Sequence, residues 1–271
     1  MTFVSALSQI PSEKQIRKHL SKVVFGPRPW CPRCGRQKFA VALVKGLKWR
    51  CTSCRKPFSL TSVTWLRGMK LSMRHLWALA WCWQRKIPVQ QARDLLGLSI
   101  PTVRRWYALF RDHLELDFEV ALEGDVQMDE MFVDGGFVVG AKDIVRKRIR
   151  LKVVSAPYPT KKDAADFIQE HVRPGSVLCT DGGGIYRGIE KWWPVEHVHE
   201  IHKRFEFEIT SEIEGTWANL RTFMRRMYHH VTFAKLPKVV AEFEARYSKP
   251  ELFVSPLTFF KNSLCPVSFA F

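Results

Sequence analysis

Apolar and polar positions follow different patterns in the two halves of the chain. In the first half, apolar residues recur every three or four positions, as at Ile16, Leu20 and Val23 after the helix start Pro11-Ser12-Glu13, and again through the Trp- and Leu-rich residues 72–86. This spacing is typical of amphipathic helices. In the second half, short apolar or alternating runs are separated by longer helical periods. That order predicts an α/β domain built around a mixed sheet.

Turn residues and changes of period set the boundaries of the predicted elements. Residues 112–124 are polar and acidic and are predicted to form a linker. After residue 247 the chain is rich in phenylalanine and apolar enough to pack on a neighbouring protein. In the second half we predict strands at residues 126–133, 137–140, 148–154, 176–181 and 195–199, and helices at residues 161–172, 186–193, 212–227 and 236–247.

Two C-x2-C pairs, Cys31 with Cys34 and Cys51 with Cys54, stand sixteen residues apart. A two-residue spacing turns both sulfurs toward one point, and two such pairs supply the four thiolates of a closed, structural Zn²⁺ site. Strand-like runs at residues 39–43 and 48–50 complete the layout of a zinc ribbon. Chance pairs and disulfides are the alternatives, but the spacing is specific and the expected compartment is reducing.

Basic residues surround the predicted ribbon, among them Arg33 and Lys48. Over the whole chain, 43 Lys and Arg against 26 Asp and Glu give a net charge of +17. So large an excess of one sign favours a polyanionic partner, and nucleic acid is the commonest. No apolar run reaches the ~18 residues that span a bilayer, and no signal peptide pattern is present at the N-terminus. We therefore expect a cytoplasmic, nucleoid-associated protein.

A helix-turn-helix is predicted after the Trp-rich helix. A short helix ends at Gly97, a three-residue turn follows, and Ser99 is placed to cap the second helix. Thr102, Arg104 and Arg105 would lie near the exposed N-terminal end of that helix, where base and phosphate contacts are made. An ordinary helical hairpin is the alternative, but the neighbouring basic ribbon favours binding of double-stranded DNA.

Two acids, Asp129 and Glu130, interrupt the apolar strand at residues 126–133. An unpaired carboxylate inside a strand is costly. Either the strand is a half-exposed edge, or an acid stands on a central strand to hold a metal ion. Because neighbours on a strand point to opposite faces, we predict that Asp129 is the functional acid and that Glu130 only accompanies it.

Further carboxylates complete a candidate metal site. Asp181 ends a later strand, and Glu214 lies on the first turns of the helix at residues 212–227. Converging carboxylates repel one another unless they share cations, and oxygen ligands favour Mg²⁺ or Mn²⁺. Two such ions about 4 Å apart can clamp the attacking and leaving oxygens of a phosphodiester. Arg221, two helical turns after Glu214, is placed to hold a phosphate.

The fragments Met128–Glu130, Gly175–Asp181, Ile213–Trp217 and Tyr228–Val231 resemble DDE transposases of bacterial insertion sequences, in the group with an N-terminal zinc ribbon and helix-turn-helix. The resemblance runs from about residue 30 to residue 247. It implies a ribonuclease-H-like catalytic domain that acts on DNA as a homodimer or larger assembly. It also implies that Asp129, Asp181 and Glu214 form the acidic triad. Where that group often has Lys seven positions after the Glu, this chain has Arg221. Glu206, Glu208 and Glu212 remain alternatives for the third acid.

The predicted organisation has five parts: an N-terminal helical segment at residues 1–25, a zinc ribbon at 26–66, an all-α helix-turn-helix domain at 67–118, the catalytic domain at 122–248 and a tail at 249–271. The predicted function is a transposase that binds terminal inverted repeats, cleaves DNA in the presence of Mg²⁺ and joins the freed 3′-hydroxyls to target DNA. The alternatives are a DNA-binding regulator with an inactive transposase-derived domain and a metal-dependent nuclease without joining activity.

Overall fold

The computed structural model describes residues 10–36, 40–44, 48–114, 121–199 and 210–264. The chain forms two compact units, one of residues 1–115 with 251–271 and the other of residues 116–250. In chain order the helices are α1 (Glu13–Phe25), α2 (Met73–Gln84), α3 (Val89–Leu96), α4 (Ile100–Asp112), α5 (Lys161–His171), α6 (Ser211–Tyr228), α7 (Leu236–Ser248) and α8 (Pro256–Ser263). The strands are β1 (Ala40–Val44), β2 (Lys48–Cys51), β3 (Pro57–Phe58), β4 (Asp125–Val133), β5 (Gly136–Asp143), β6 (Ile149–Val154), β7 (Val177–Thr180) and β8 (Glu196–His199).

The first unit begins with α1 packed on a small antiparallel sheet of order β1-β2-β3. Side chains of β2 alternate, so that Trp49 is buried while Lys48 and Arg50 are exposed. The Trp49 ring lies 5.2 Å from the ring of Phe25 on α1 and 5.9 Å from that of Phe58 on β3. This aromatic cluster fixes the helix on the ribbon, because aromatic pairs at such distances add to the gain from burial.

The helical core of the first unit includes residues from the segment predicted to be a tail. Phe259 and Phe260 of α8 are fully buried, and the Phe259 ring lies 5.2 Å from that of Trp83 on α2. The amide of Gln84 donates to the carbonyl oxygens of Leu252 and Ser255, each at 2.8 Å. Residues 251–264 therefore complete the helical core of the first unit, whereas the sequence indicates only that this segment is apolar enough to pack on a neighbour.

Helices α3 and α4 are separated by the turn Gly97-Leu98-Ser99. Gly97 has a left-handed backbone (φ +63°) that ends α3, a conformation that glycine adopts without steric cost. The Ser99 side chain then caps α4 by accepting a hydrogen bond from the backbone N–H of Thr102 at 3.4 Å. Two helices joined by a tight turn are thus present where the sequence predicts them.

The second unit is an α/β domain around a mixed five-stranded sheet of order β6-β5-β4-β7-β8. Strands β4, β5 and β6 are antiparallel, whereas β7 and β8 run parallel to β4. One face of the sheet packs on α5 through a cluster that includes Met128, Val139 and Phe167. Helix α6 packs against β4 and β5, and α7 packs against β6. Because β4 is the central strand, the interpretation of residues 126–133 as an edge strand is wrong.

Two predicted elements of the second unit differ from the structure. Strand β5 is twice as long as predicted because it pairs with β4 along its whole length, from Val133↔Gly136 to Val126↔Asp143. The helix predicted at residues 186–193 is instead two short 3-10 helices, Gly184–Tyr186 and Ile189–Lys191. Gly188, with φ +79°, separates them, since this left-handed conformation interrupts a right-handed helix. Within the described residues, no helix combines the length and apolarity that crossing a membrane requires.

Candidate active site and metal centre

The four cysteines of the ribbon come together at one point. Their sulfurs all lie within 4.8 Å of one another, with Cys31 Sγ 3.7 Å from Cys54 Sγ and Cys34 Sγ 3.6 Å from Cys51 Sγ. Four sulfurs at ~2.3 Å around a tetrahedral zinc ion lie about 3.8 Å apart. The cluster therefore fits a structural Zn²⁺ ion that is bound entirely by protein ligands, as the spacing predicts.

Backbone geometry supports this site from both cysteine pairs. The N–H of Cys31 donates to the carbonyl of Arg36, and the N–H of Cys51 donates to that of Lys56, so the two turns have the same pattern. The N–H of Cys54 donates to Cys51 Sγ at 3.5 Å and lowers the pKa of that thiol to about 7. A thiolate is the form that binds zinc, so this contact favours the liganding state.

The central strand β4 places Asp129 beside the end of β7. The two strands are parallel and pair Gln127 with Cys179. Two residues further along they carry Asp129, in the middle of β4, and Asp181, directly after the end of β7, so the two acids follow the same register. Ligand sites in α/β sheets form at such strand ends. Asp181 is held by its own loop, because its Oδ1 accepts a hydrogen bond from the N–H of Gly183 at 2.9 Å.

Helix α6 contacts Asp129 directly. The indole Nε1 of Trp217 donates to Asp129 Oδ2 at 2.9 Å. The indole can lie across the sheet because the residue paired with Asp129 on β5 is Gly140, where an added Cβ would stand 2.3 Å from the Trp217 ring. One carboxylate oxygen of Asp129 is thus fixed by the protein.

A buried glutamine anchors the start of α6. Gln127 is 6% exposed, and its Oε1 accepts from the backbone N–H groups of Glu212 and Ile213 at 2.9 and 3.0 Å. The first N–H groups of a helix have no partner within the helix, so this contact holds the helix end on the strand. Gln127 lies two residues before Asp129 on the same face of β4, and it therefore positions the turn that carries Glu214.

The alternatives for the third acid separate in the structure. The carboxylate of Glu212 pairs with Lys142 Nζ at 2.5 Å, and this pairing lowers its pKa. Glu214, two residues further along α6, is exposed, and its Oε1 accepts a hydrogen bond from the hydroxyl of Thr210 at 3.4 Å. Glu206 and Glu208 lie outside the described residues. Of the two described candidates, Glu212 is engaged in an ion pair, whereas the charge of Glu214 acts on Asp129 and raises its pKa.

The three acids interact electrostatically. Burial raises the pKa of Asp129, and the negative charges of Asp181 and Glu214 raise it further. This mutual repulsion is relieved when the carboxylates share a cation. Within the described residues, however, only the cysteine cluster has three or more potential ligands close enough to hold an ion. The three acids therefore do not meet at liganding distance.

Glu130 has a larger role in the structure than the sequence predicts. It lies on the opposite face of β4 from Asp129, as alternation requires, and accepts a hydrogen bond from the hydroxyl of the fully buried Tyr186. Burial raises the pKa of Glu130 to about 7, and the charges of Asp129 and Asp181 add to the effect. Tyr186 also donates its backbone N–H to the carbonyl of Gly183 at 3.0 Å. It therefore links the strand of Asp129 to the loop of Asp181.

Arg221 and His197 lie on the elements that carry or adjoin the acids. Arg221 is exposed on α6, two turns after Glu214. His197 on β8 places its Nε2 2.9 Å from the hydroxyl of Thr180, the residue before Asp181, and burial lowers the pKa of that histidine. His197 thus supports the end of β7.

The predicted DNA-contacting residues are accessible with one exception. Arg104 and Arg105 are exposed on α4, and Arg33 and Lys48 are exposed on the ribbon. The Thr102 hydroxyl, in contrast, lies 2.8 Å from the Ser99 hydroxyl at the start of α4. Thr102 therefore contributes to the cap of the helix and is only partly exposed.

Comparisons with known proteins match the zinc ribbon and the α/β domain to separate family models. The model of the transposase zinc-ribbon domain matches residues 11–57, and the model of the ISXO2-like transposase domain matches residues 121–248. A search of curated proteins finds no match. The two matched domains occur in the order that the cysteine pairs and the mixed sheet establish. The chain therefore belongs to the DDE transposases, in the family with the ISXO2-like transposase domain and an N-terminal transposase zinc ribbon.

Proposed function

We propose that this transposase binds the terminal inverted repeats of its element, cleaves the DNA at those ends and transfers the freed strands to target DNA. The observation that carries the proposal is the position of Asp129 at the centre of the sheet, with Asp181 and Glu214 close enough to raise its pKa. Such repulsion is retained in a fold when the acids bind cations. A ribonuclease-H-like catalytic domain is consistent with the strand order β6-β5-β4-β7-β8.

Asp129, Asp181 and Glu214 would hold two Mg²⁺ or Mn²⁺ ions, because their oxygen donors suit hard divalent cations. When bound, these ions supply charge neutralisation at the attacking and leaving oxygens of the phosphodiester. The protein orients the ligands: Trp217 fixes one oxygen of Asp129, Gln127 fixes the start of α6, and Gly183 fixes Asp181. Arg221 would hold a DNA phosphate beside the acids by a two-pronged contact.

The first unit would recognise the DNA. As a helix-turn-helix, α3 and α4 would place Arg104 and Arg105 against the major groove, while Arg33 and Lys48 of the ribbon contact phosphates. Thr102 contributes through the cap that it shares with Ser99. As in related transposases, a homodimer or larger assembly would hold two element ends.

The test is Asp129→Asn in the full-length protein. The amide keeps an oxygen for the Trp217 hydrogen bond but loses the charge, so Mg²⁺-dependent nicking of a terminal-repeat duplex should fall about a thousandfold or more. Binding of the same duplex should change less than about threefold, because phosphate contacts lie elsewhere. Asp125→Asn, at the exposed start of the same strand, is the matched control and should nick like the wild type.

Undiminished nicking or transposition by Asp129→Asn would refute the catalytic assignment. A wild-type protein that binds element ends but never nicks them would instead support a DNA-binding regulator. Nicking without strand-transfer product would support a nuclease without joining activity.

A further inference from the structure

Helix α1 carries a line of lysines that its own stability does not explain. Lys14, Lys18 and Lys22 are exposed and follow one another at four-residue spacing, so they lie on one side of the helix. Like charges at this spacing destabilise a helix, and Lys14 stands in the first turn, where the helix dipole disfavours a cation. The opposite side, with Ile16 and Leu20, is buried.

This line borders a groove of about 960 Å³. Arg17 also lines the groove, and its opposite wall includes Pro27, Pro29 and Trp49. Among the described residues that line it, Glu13 is the one acid. Glu13 is already engaged, because it pairs with Arg17 at 2.9 Å and accepts from the backbone N–H of Arg74 at 3.1 Å.

The groove is preformed. Its two sides are held together by the contact between Phe25 at the end of α1 and Trp49 of the ribbon, whose ring centroids lie 5.2 Å apart. Trp49 is 7% exposed, so it forms a fixed wall and not a mobile side chain. The lysines are therefore presented by a rigid frame that needs no rearrangement to bind a ligand.

We propose that this groove binds the phosphate backbone of double-stranded DNA. The eight helical steps from Lys14 to Lys22 span about 12 Å at 1.5 Å per residue. A DNA strand advances ~3.4 Å per nucleotide, so the lysines can follow three to four successive phosphates while the sugars face the prolines and Trp49. The proposal rests on the proposed function, because it assigns a further DNA contact to the first unit.

Contacts of this kind supply affinity without sequence preference. They differ from the contacts proposed for Arg104 and Arg105, which would face base edges. The groove would therefore strengthen binding to any duplex and would hold an element end in register for α4.

The experiment measures binding of a fluorescein-labelled 30-bp duplex of arbitrary sequence by full-length protein at several salt concentrations. The variant is Lys14→Gln/Lys18→Gln/Lys22→Gln, which keeps good helix formers on α1. The slope of log K against log[salt] is negative, and each lost phosphate contact reduces its magnitude by about 0.9. The triple variant should therefore reduce the magnitude by about 2.7 and bind more than tenfold more weakly at 0.1 M salt.

The matched control is Lys161→Gln/Lys191→Gln/Lys235→Gln, which removes the same charge from exposed positions of the second unit. It should change the slope by less than 1. An unchanged slope in the α1 variant, or an equal loss in both variants, would overturn the proposal. If the wild type itself binds no duplex, the proposed function fails. If the wild type binds and nicks a terminal-repeat duplex and the α1 variant binds equally well, only the groove assignment fails.

Discussion

Replacing Gly140 with alanine should disturb the candidate active site without touching any of its acids. An added Cβ would stand 2.3 Å from Cη2 of Trp217 and 2.6 Å from Cδ2 of Leu151. Neither contact can be accommodated without movement, because both side chains belong to packed elements. The Trp217 ring must therefore shift away from the sheet, and its hydrogen bond to Asp129 must lengthen or break.

Two costs add in this substitution. Forcing an extra methyl group into a packed core costs about 1–3 kcal/mol. Loss of a hydrogen bond to a charged group, here the 2.9 Å contact to Asp129, costs about 1.5–3 kcal/mol. We therefore expect Gly140→Ala to lower the free energy of unfolding of the second unit by about 3 kcal/mol, although alanine has the higher intrinsic stability in most secondary structure.

Urea denaturation of the full-length proteins, followed by circular dichroism, measures this difference. The matched control is Gly215→Ala on α6, where an added Cβ meets nothing within 4 Å. Because alanine is the better helix former, the control should be more stable than the wild type by about 0.5–1 kcal/mol. Trp217→Phe removes the donor without adding bulk and should show the cost of the lost hydrogen bond together with that of the smaller ring's lost packing. If Gly140→Ala were as stable as the wild type, the close packing of Gly140, Trp217 and Asp129 would be refuted.

Two other predictions concern buried charges. The pKa of Glu130 is about 7 in the folded protein and ~4.3 in the unfolded chain. Between these values the native state binds more protons than the unfolded state, so the free energy of unfolding falls as pH rises from about 4 to 7. In Mg²⁺-free buffer, the stability advantage of Glu130→Gln over the wild type should widen by about 3 kcal/mol from pH 4 to pH 8, and a pH-independent difference would contradict the assignment. The second prediction concerns Arg150 and Glu244, which pair at 3.1 Å and are almost completely buried. Arg150→Met should cost about 3–5 kcal/mol in urea denaturation, because it leaves a buried carboxylate uncompensated, and adding Glu244→Leu should recover most of this loss. A double variant as unstable as the single one would show that packing, and not charge, determines the loss.

The sequence predicts features that depend on local spacing. The cysteine pairs determine the zinc site because each pair needs only a short turn, and the four sulfurs do meet within 4.8 Å. The amphipathic period predicts α6, on which Ile213, Trp217 and Leu220 are buried as expected. Asp129, Asp181 and Glu214 are distant in sequence, so their places on strands and a helix make them candidates for a metal site, and the resemblance to DDE transposases implies that they form one acidic triad.

The remaining features depend on contacts that spacing does not encode. In the sequence, Gln127 is an ordinary polar residue within a predicted strand. In the structure it anchors the start of α6, more than 80 residues away. Tyr186 lies in a segment predicted as a regular helix, and only the fold brings it to Glu130. A buried polar residue in an otherwise apolar strand is the one signal that could have singled out Gln127, since such a group needs a partner.

The position of residues 251–264 has a consequence for synthesis on the ribosome. The helical core of the first unit needs Phe259 and Phe260, but residues 116–250 are translated before them. At ~5–20 residues per second, residues 251–264 take roughly 1–3 s to translate, so the second unit is complete in the chain before the first can close its core. A nascent chain would therefore carry the proposed catalytic acids before the helical core of its first unit is complete.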